Sequence, residues 1–498
     1  MPSAASSAHS KPTSLGGYAR KLSIAHKPNM TIHINNHYNS KVYTTGSVVS
    51  GYVIISSQTD VRFDTFQVVL LGTSKTCMDA ANIPQSTSHT FLKLIMPIPE
   101  STYPVPRIFE AGMNYTMPFT FVIPSTLTLN ACNHHVSNES VQEHHVRLPP
   151  TVGSWEKDDL APNMSRVQYV IKARAYKDDV PEKECVKVME AAQEIKILPA
   201  VPEDAPLSIT KHDDLYTMTK SKNLRKTIIS PKSGRVTITA SQPRPAMLSP
   251  DGLTTTPINV ALDLEFVPAS SEVHPPKVTG IASKVTAVTY FSAGGINHFP
   301  NLKDWHRTFG CESRGSYSGT TSVSTGRFEH IRWSRHISAQ ARRDSGYGSD
   351  NLTASDSDQV PKAASKKSKS KGSLPSPIYH TANMQVPIEL PLHRKTFIPT
   401  FHSCITSRVY VLWLTVTLVS GGTSAHVTLG VPLQIGVNSI EPPHSYELPP
   451  SFEEVEGAGV DEYLHPRPMN LPTVNFHRSE SLPGYADLDC RRRTLAAH

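Results

Sequence analysis

From Thr31 onward, hydrophobic residues alternate with polar ones in short runs broken by Gly and Pro. In DVRFDTFQVVLLGTS, Phe66, Val68 and Leu70 fall on one side, while Thr65 and Gln67 fall on the other. In YTMPFTFVIP, Met117, Phe119, Phe121 and Ile123 alternate with smaller or polar residues, and in SRVQYVIKARAYK, Val167, Tyr169, Ile171 and Ala173 make one face. Successive strand side chains point to opposite faces, so this period of two predicts half-buried antiparallel strands. A second block repeats the pattern in RVTITAS, in NVALDLEFVP through Val260, Leu262, Leu264 and Phe266, and in SKVTAVTYF. The pattern resumes later in VPIELP, in SRVYVLWLTVTLV, where both faces are apolar, and in HVTLGVPLQIGV. No long stretch keeps helical spacing, and many short strands separated by turn signals predict two β-sandwiches.

The breaks in the pattern set the domain boundaries. Residues 1–28 are polar and Ser-rich and are expected to be a disordered tail, and 29–200 carry the first sandwich. Residues 201–235 are expected to be a basic interdomain linker, and 236–437 the second sandwich. Within it, residues 301–376 are rich in Ser, Gly, Arg and Lys, with runs such as RRDSGYGSDNLTASDSD and KKSKSKGS. Such a segment buries too little apolar surface to offset its ordering entropy, so a disordered insertion is expected there. Residues 438–498 form a Pro-rich tail. Composition agrees: 38% hydrophobic residues is low for a fully globular chain of 498 residues, and 41 prolines suit folded modules between disordered segments.

The six cysteines, Cys77, Cys132, Cys185, Cys311, Cys404 and Cys490, form no Cys-x-x-Cys pair, which predicts a reduced, intracellular protein. The opening MPSAASSAHSKPTS lacks an apolar core, so no secretory signal is expected. The longest apolar run, from Val409, is about half of what a bilayer requires. A net charge of +7 is mild and argues only weakly for an anionic partner.

Several stretches together resemble the α-arrestins, particularly the fungal arrestin-like proteins. GSVVSGYVIISSQTDVRFDTFQVVLLGTSKT looks like the arrestin N-domain G-x-x-V-x-G-x-V strand and the L-x-G strand after it. FEAGMNYTMPFTFVIPSTL resembles the P-F-x-F-x-I-P element, and VQYVIKARAY the Y-x-I-K-A strand. FIPTFHSCITSRVYVLWLTVTL and VTLGVPLQI resemble the last C-domain strands. The resemblance covers roughly 30–200 and 236–437, less the insertion, and its specificity lies in the order and spacing of the motifs. It implies two tandem immunoglobulin-type sandwiches and a non-enzymatic trafficking adaptor. Such an adaptor is cytoplasmic and is recruited to the plasma membrane or endosomes. It recognises the cytoplasmic tails of membrane transporters or receptors and brings a HECT-type ubiquitin ligase to them for ubiquitination and endocytosis. The alternative is a signalling or sorting scaffold of the same fold that recruits no ligase.

In the family, the ligase is held by its WW domains on Pro-Pro-x-Tyr motifs. A WW groove takes a polyproline II segment and slots a tyrosine ring beside it. This tail has no Pro-Pro-x-Tyr. PPHSY has one residue too many, LPPSF places Phe452 after Pro449 and Pro450, and LPGY joins Leu482, Pro483 and Tyr485. LPGY is the first candidate and LPPSF the second; the competing reading is a tail tyrosine without a role. Arg478, Ser481 and Pro483 lie in RSESLP, a pattern resembling a 14-3-3 site when Ser481 is phosphorylated. Phosphate adds charge and strong acceptors. Because the two motifs share Leu482 and Pro483, binding at one would exclude binding at the other. In the insertion, Ser345 and Ser349 of DSGYGS match a phosphodegron pattern, against the plain reading of a flexible Ser/Gly loop.

Lys220, Lys222, Arg225 and Lys226 sit in the expected linker as candidates for peripheral contact with an anionic membrane or as ubiquitin acceptors, against the reading of a solvated linker. Cys132, His134, His135, His144 and His145 cluster along the chain, but without the tight pair spacing of a zinc site. Adjacent histidines tend to point apart, so a polar loop is expected there and no metal. No phosphate loop, nucleophile elbow or basic strand interleaved with aromatics is present, so neither catalysis, a cofactor nor nucleic-acid binding is expected.

Overall fold

The computed structural model describes residues 30–80, 83–178, 185–209, 213–227, 230–305, 313–325, 331–337 and 378–439. These are mostly strand. The first half holds β1 (Met30–Ile34), β2 (Val42–Tyr43), β3 (Val48–Ser56), β4 (Val61–Arg62), β5 (Thr65–Ala80), β6 (Ile83–Met96), β7 (Ile108–Phe109), β8 (Asn114–Val122), β9 (Ser165–Asp178) and β10 (Cys185–Ile197). One sheet runs β1-β3-β8 and the other β2-β10-β9-β5-β6. The expected faces are the buried ones: Met117, Phe119 and Phe121 of β8, Phe66, Val68 and Leu70 of β5, and Val167, Tyr169, Ile171 and Ala173 of β9 share one core. Each large side chain fully buried there contributes roughly 1.5–3 kcal/mol.

The second half holds β11 (Thr219–Arg225), β12 (Lys232–Ala240), β13 (Ala246–Leu248), β14 (Ile258–Pro268), β15 (Lys277–Ser292), β16 (Arg314–Thr325), β17 (Ser334–Ile337), β18 (Ile378–Glu389), β19 (Phe401–His402), β20 (Thr406–Ser420), β21 (Thr423–Leu433) and β22 (Ile435–Val437). The order is β11-β12-β14-β18-β16-β15-β20, with β21 also paired to β20. The sheet folds over on itself at β16, which pairs with β15 for most of its length and meets β18 only at Ser324 and Thr325. Reciprocal backbone bonds between Thr217 and Gly430, of 2.8 and 3.1 Å, bring the segment before β11 against β21, so the sheet nearly closes like a barrel. Val260, Leu262, Leu264 and Phe266 of β14 point inward as the pattern predicts.

Two expectations are corrected. The basic stretch read as linker, Lys220 to Arg235, largely falls in β11 and β12, which pair with each other; β11 has only Leu224 buried and so lacks an apolar pattern. The segment read as a disordered insertion from 301 contains α2 (Leu302–Trp305), β16 and β17. Trp305 is buried, and its Nε1 donates to the Gly315 carbonyl at 2.9 Å, tying α2 to β16.

Candidate functional site

β20 begins with Thr406, Ser407 and Arg408, all fully buried. The strand is buried on both faces from Thr406 to Leu412, which is why VYVL, after these three polar residues, is apolar on both. The first sandwich supplies one of those covers, and the contact is polar. Ser165 and Ser74 hydroxyls lie 2.9 and 3.4 Å from the Thr406 hydroxyl. Thr76 donates to the Ser292 carbonyl at 2.8 Å and Thr87 to the Ala293 carbonyl at 2.9 Å.

Arg408 is the centre of this seam. Its Nε and Nη2 donate to Thr289 Oγ1 at 3.0 and 2.8 Å. Across the seam, Nη1 donates to the Asp159 carbonyl at 2.6 Å and Nη2 to the Leu160 carbonyl at 3.3 Å. Among the described residues no carboxylate lies within ion-pair distance of this guanidinium. Its charge is held by carbonyl dipoles and one hydroxyl, as a buried charge requires.

The loop that presents those carbonyls is itself built for the purpose. Leu160 adopts φ of +58°, uncommon for a residue with a branched side chain. Asp158 Oδ1 accepts from the Leu160 N–H at 2.8 Å, Asp159 Oδ1 from Ala161 N–H at 3.2 Å, and Asp159 Oδ2 from Gly153 N–H at 2.8 Å. Such carboxylate-to-backbone turns hold left-handed geometry. Lys395 of the second sandwich pairs with Asp158, and this holds the Asp158 carboxyl below its ordinary range. Asp159→Ala removes the acceptor for two backbone N–H groups of a partly buried loop and is expected to lower unfolding free energy by about 2 kcal/mol, read from a denaturant melt of the full chain.

Beside this network the seam gathers sulfur and imidazole. Asn138 caps α1 (Glu139–His145) by accepting from the Val141 N–H at 3.0 Å, so the expected polar loop is in part a short helix. Ser137 N–H donates to the Asn297 carbonyl at 2.7 Å, fastening that helix start to the second sandwich. The adjacent histidines do point apart, but one of each pair turns inward. His134 Nε2 lies 3.6 Å and His145 Nδ1 3.5 Å from Cys132 Sγ. Cys404, from the loop between β19 and β20, completes a group whose four ligand atoms lie within 4.8 Å of one another. Cys132, His145 and Cys404 are buried, and His134 is half-buried. A side chain at Gly295 would place its Cβ 2.6 Å from His134 Nδ1, so a glycine there lets the ring approach.

Burial, with His134, His144 and His89 nearby, brings His145 down to about 4. Burial and the neighbouring Cys132 push the Cys404 thiol up to about 12. The outward partners behave differently. His135 is exposed, while His144 packs edge-on against Phe299 and His402, with centroids 5.1 and 5.7 Å away. His402 is half-buried, and the packing around its ring brings it down to about 3.

The residues singled out from sequence lie elsewhere. Lys220, Lys222, Arg225 and Lys226 are exposed on β11 and the turn after it. Lys222 Nζ donates to the His426 carbonyl of β21 at 3.0 Å, and the Lys226 carbonyl accepts from Thr423, so this basic edge bridges to β21. Charged residues on an edge strand also discourage pairing with another chain. Pro449, Pro450, Phe452, Arg478, Ser481, Leu482, Pro483 and Tyr485, and Ser345 and Ser349 of the insertion, lie outside the described residues. Among the described residues, no helix is long and apolar enough to cross a membrane.

Sequence reasoning passed over Arg408. The signal was present: one charged residue inside SRVYVLWL, a run apolar on both faces, must be buried and must find partners. Comparison with models of protein families and with curated proteins finds no match.

Proposed function

We propose that this chain is a trafficking adaptor of the α-arrestin kind. It recognises a membrane transporter or receptor through its sandwiches and recruits a HECT-type ubiquitin ligase through its tail. The observation that carries the reading is where the resembling motifs sit. GSVVSGYV enters β3, PFTFVIP ends β8, YVIKA lies in β9, and SRVYVLWLTVTL and VTLGVPL form β20 and β21. They are core strands of two tandem sandwich-like halves, joined by a buried arginine rather than left to swing on a linker. Two β modules docked through a buried polar seam, followed in sequence by a Pro-rich stretch, suit binding and positioning of partners.

The tail test uses a peptide of residues 472–492, unmodified and phosphorylated at Ser481, titrated against a ligase WW domain and against 14-3-3. The unmodified form is expected to bind the WW domain, and Tyr485→Ala to weaken it at least tenfold, about 1.4 kcal/mol. The phosphorylated form is expected to exchange WW binding for 14-3-3 binding, because Leu482 and Pro483 serve both. Failure of both forms on both partners, with LPPSF equally inert, would favour the second reading: a scaffold without a ligase. The absence of any Pro-Pro-x-Tyr supports that reading.

A further inference from the structure

The Cys/His group is a geometry looking for a cation. Zinc binds sulfur at about 2.3 Å and imidazole nitrogen at about 2.0–2.1 Å, so tetrahedral ligation puts sulfur and nitrogen roughly 3.6 Å apart. The two sulfur-to-nitrogen separations here are 3.5 and 3.6 Å, and all four ligand atoms fall within 4.8 Å. We propose that Cys132, His134, His145 and Cys404 bind one zinc ion, closed and four-coordinate, that fastens the first sandwich to the second.

Two further observations support the assignment. His134 Nδ1 lies 3.1 Å from the His135 carbonyl, and donation there leaves the Nε2 lone pair facing the cluster. Fixing a ligand's tautomer from behind is how metal-bound histidines are usually held. His145 turns Nδ1 to the cluster, 3.5 Å from Cys132 Sγ, so in the zinc state its proton sits on Nε2, which is buried and has no hydrogen-bond partner among the described residues. The charge count also suits burial. Two thiols lose their protons as the dication arrives, two imidazoles stay neutral, and the group begins and ends with no net charge. A tetrahedral set of two sulfurs and two nitrogens selects zinc among the common divalent ions.

Cys404 also stands 3.6 Å from the Ala131 carbonyl, as a thiol donor would. The competing states are therefore a cluster of hydrogen-bonded thiols and a Cys132–Cys404 disulfide; both cysteines are free here. In the zinc state three ligands come from the first sandwich and one from the second, so the ion crosses the same seam as Arg408. This role does not depend on the trafficking reading.

The test takes the full chain, purified without a polyhistidine tag, and measures metal by plasma mass spectrometry. One zinc per chain is expected, lost in Cys132→Ser and in Cys404→Ser and kept in Cys77→Ser. Cobalt exchanged into the native chain should give the intense visible bands of a tetrahedral site and a thiolate charge-transfer band. This readout needs no variant to fold. Folded native chain without zinc that takes up no cobalt, zinc unchanged in the Cys132→Ser, Cys404→Ser double variant, or a Cys132–Cys404 disulfide in the unreduced native chain would each overturn the proposal.

Discussion

Replacing Arg408 with Met is expected to lower the unfolding free energy of the full chain by about 3–5 kcal/mol. The substitution keeps an apolar stem of similar length and deletes the guanidinium. It strands the Asp159 and Leu160 carbonyls, which accept from Nη1 and Nη2, inside a closed seam. Each unmatched buried polar group costs about 1–3 kcal/mol. Arg408→Lys should recover only part of the loss, because an ammonium on a flexible stem cannot reach two carbonyls and Thr289 at once. Equilibrium urea unfolding measures the midpoint shift. Limited proteolysis under native conditions reports where the damage lies, since cleavage should rise in the largely exposed 202–209 stretch before either sandwich opens. Buried charges can sometimes be replaced by apolar groups without loss. A Met variant as stable as the native chain would mean that packing, not this polar contact, holds the halves together.

The strands were legible where one face meets a core and the other meets solvent. The period of two then survives in the sequence, as in β5, β8, β9 and β14. It fails at β11, an edge strand with one buried side chain, and at β16, whose RGSYSGTTSVST is nearly free of apolar residues. β16 is held by its register against β15, from Arg314 opposite Ser292 to Val323 opposite Ser283, and pairing of backbones leaves little trace in composition.

The seam was half legible for a related reason. Cys132 and the histidines stand close in sequence, so they drew notice, but Cys404 reaches them only once two sandwiches are folded and docked. Ligand spacing along a chain detects sites built on one local turn, and this group spans two. Arg408 shows the converse. Its identity as a buried charge follows from the strand around it, while its partners across the seam, two backbone carbonyls on a strained loop, could not be read from side-chain types at all.

Gly51→Ala is expected to remove more than about 3 kcal/mol, beyond the usual cost of one added methyl in a core. Gly51 lies in β3 between β1 and β8, opposite Ile34 on one side and Phe119 on the other. A Cβ built there would stand 2.0 Å from the His33 carbonyl oxygen and 2.9 Å from Phe119 Cζ. The aromatic ring can give way, but the carbonyl belongs to the backbone of the neighbouring strand. Relief means prising β1 from β3, which would expose Met30 and loosen the three-stranded sheet over the core. This is the second glycine of the G-x-x-V-x-G stretch, so a contact between backbones, rather than a turn, accounts for it. Gly280→Ala is the control: nothing lies within 4 Å of its Cβ position, and a change within about 0.5 kcal/mol is expected. Thermal melting of the two variants side by side checks the pair. A Gly51→Ala chain melting with the native one would show that β1 can shift without cost, and the three-stranded sheet would then not need the close approach at this position.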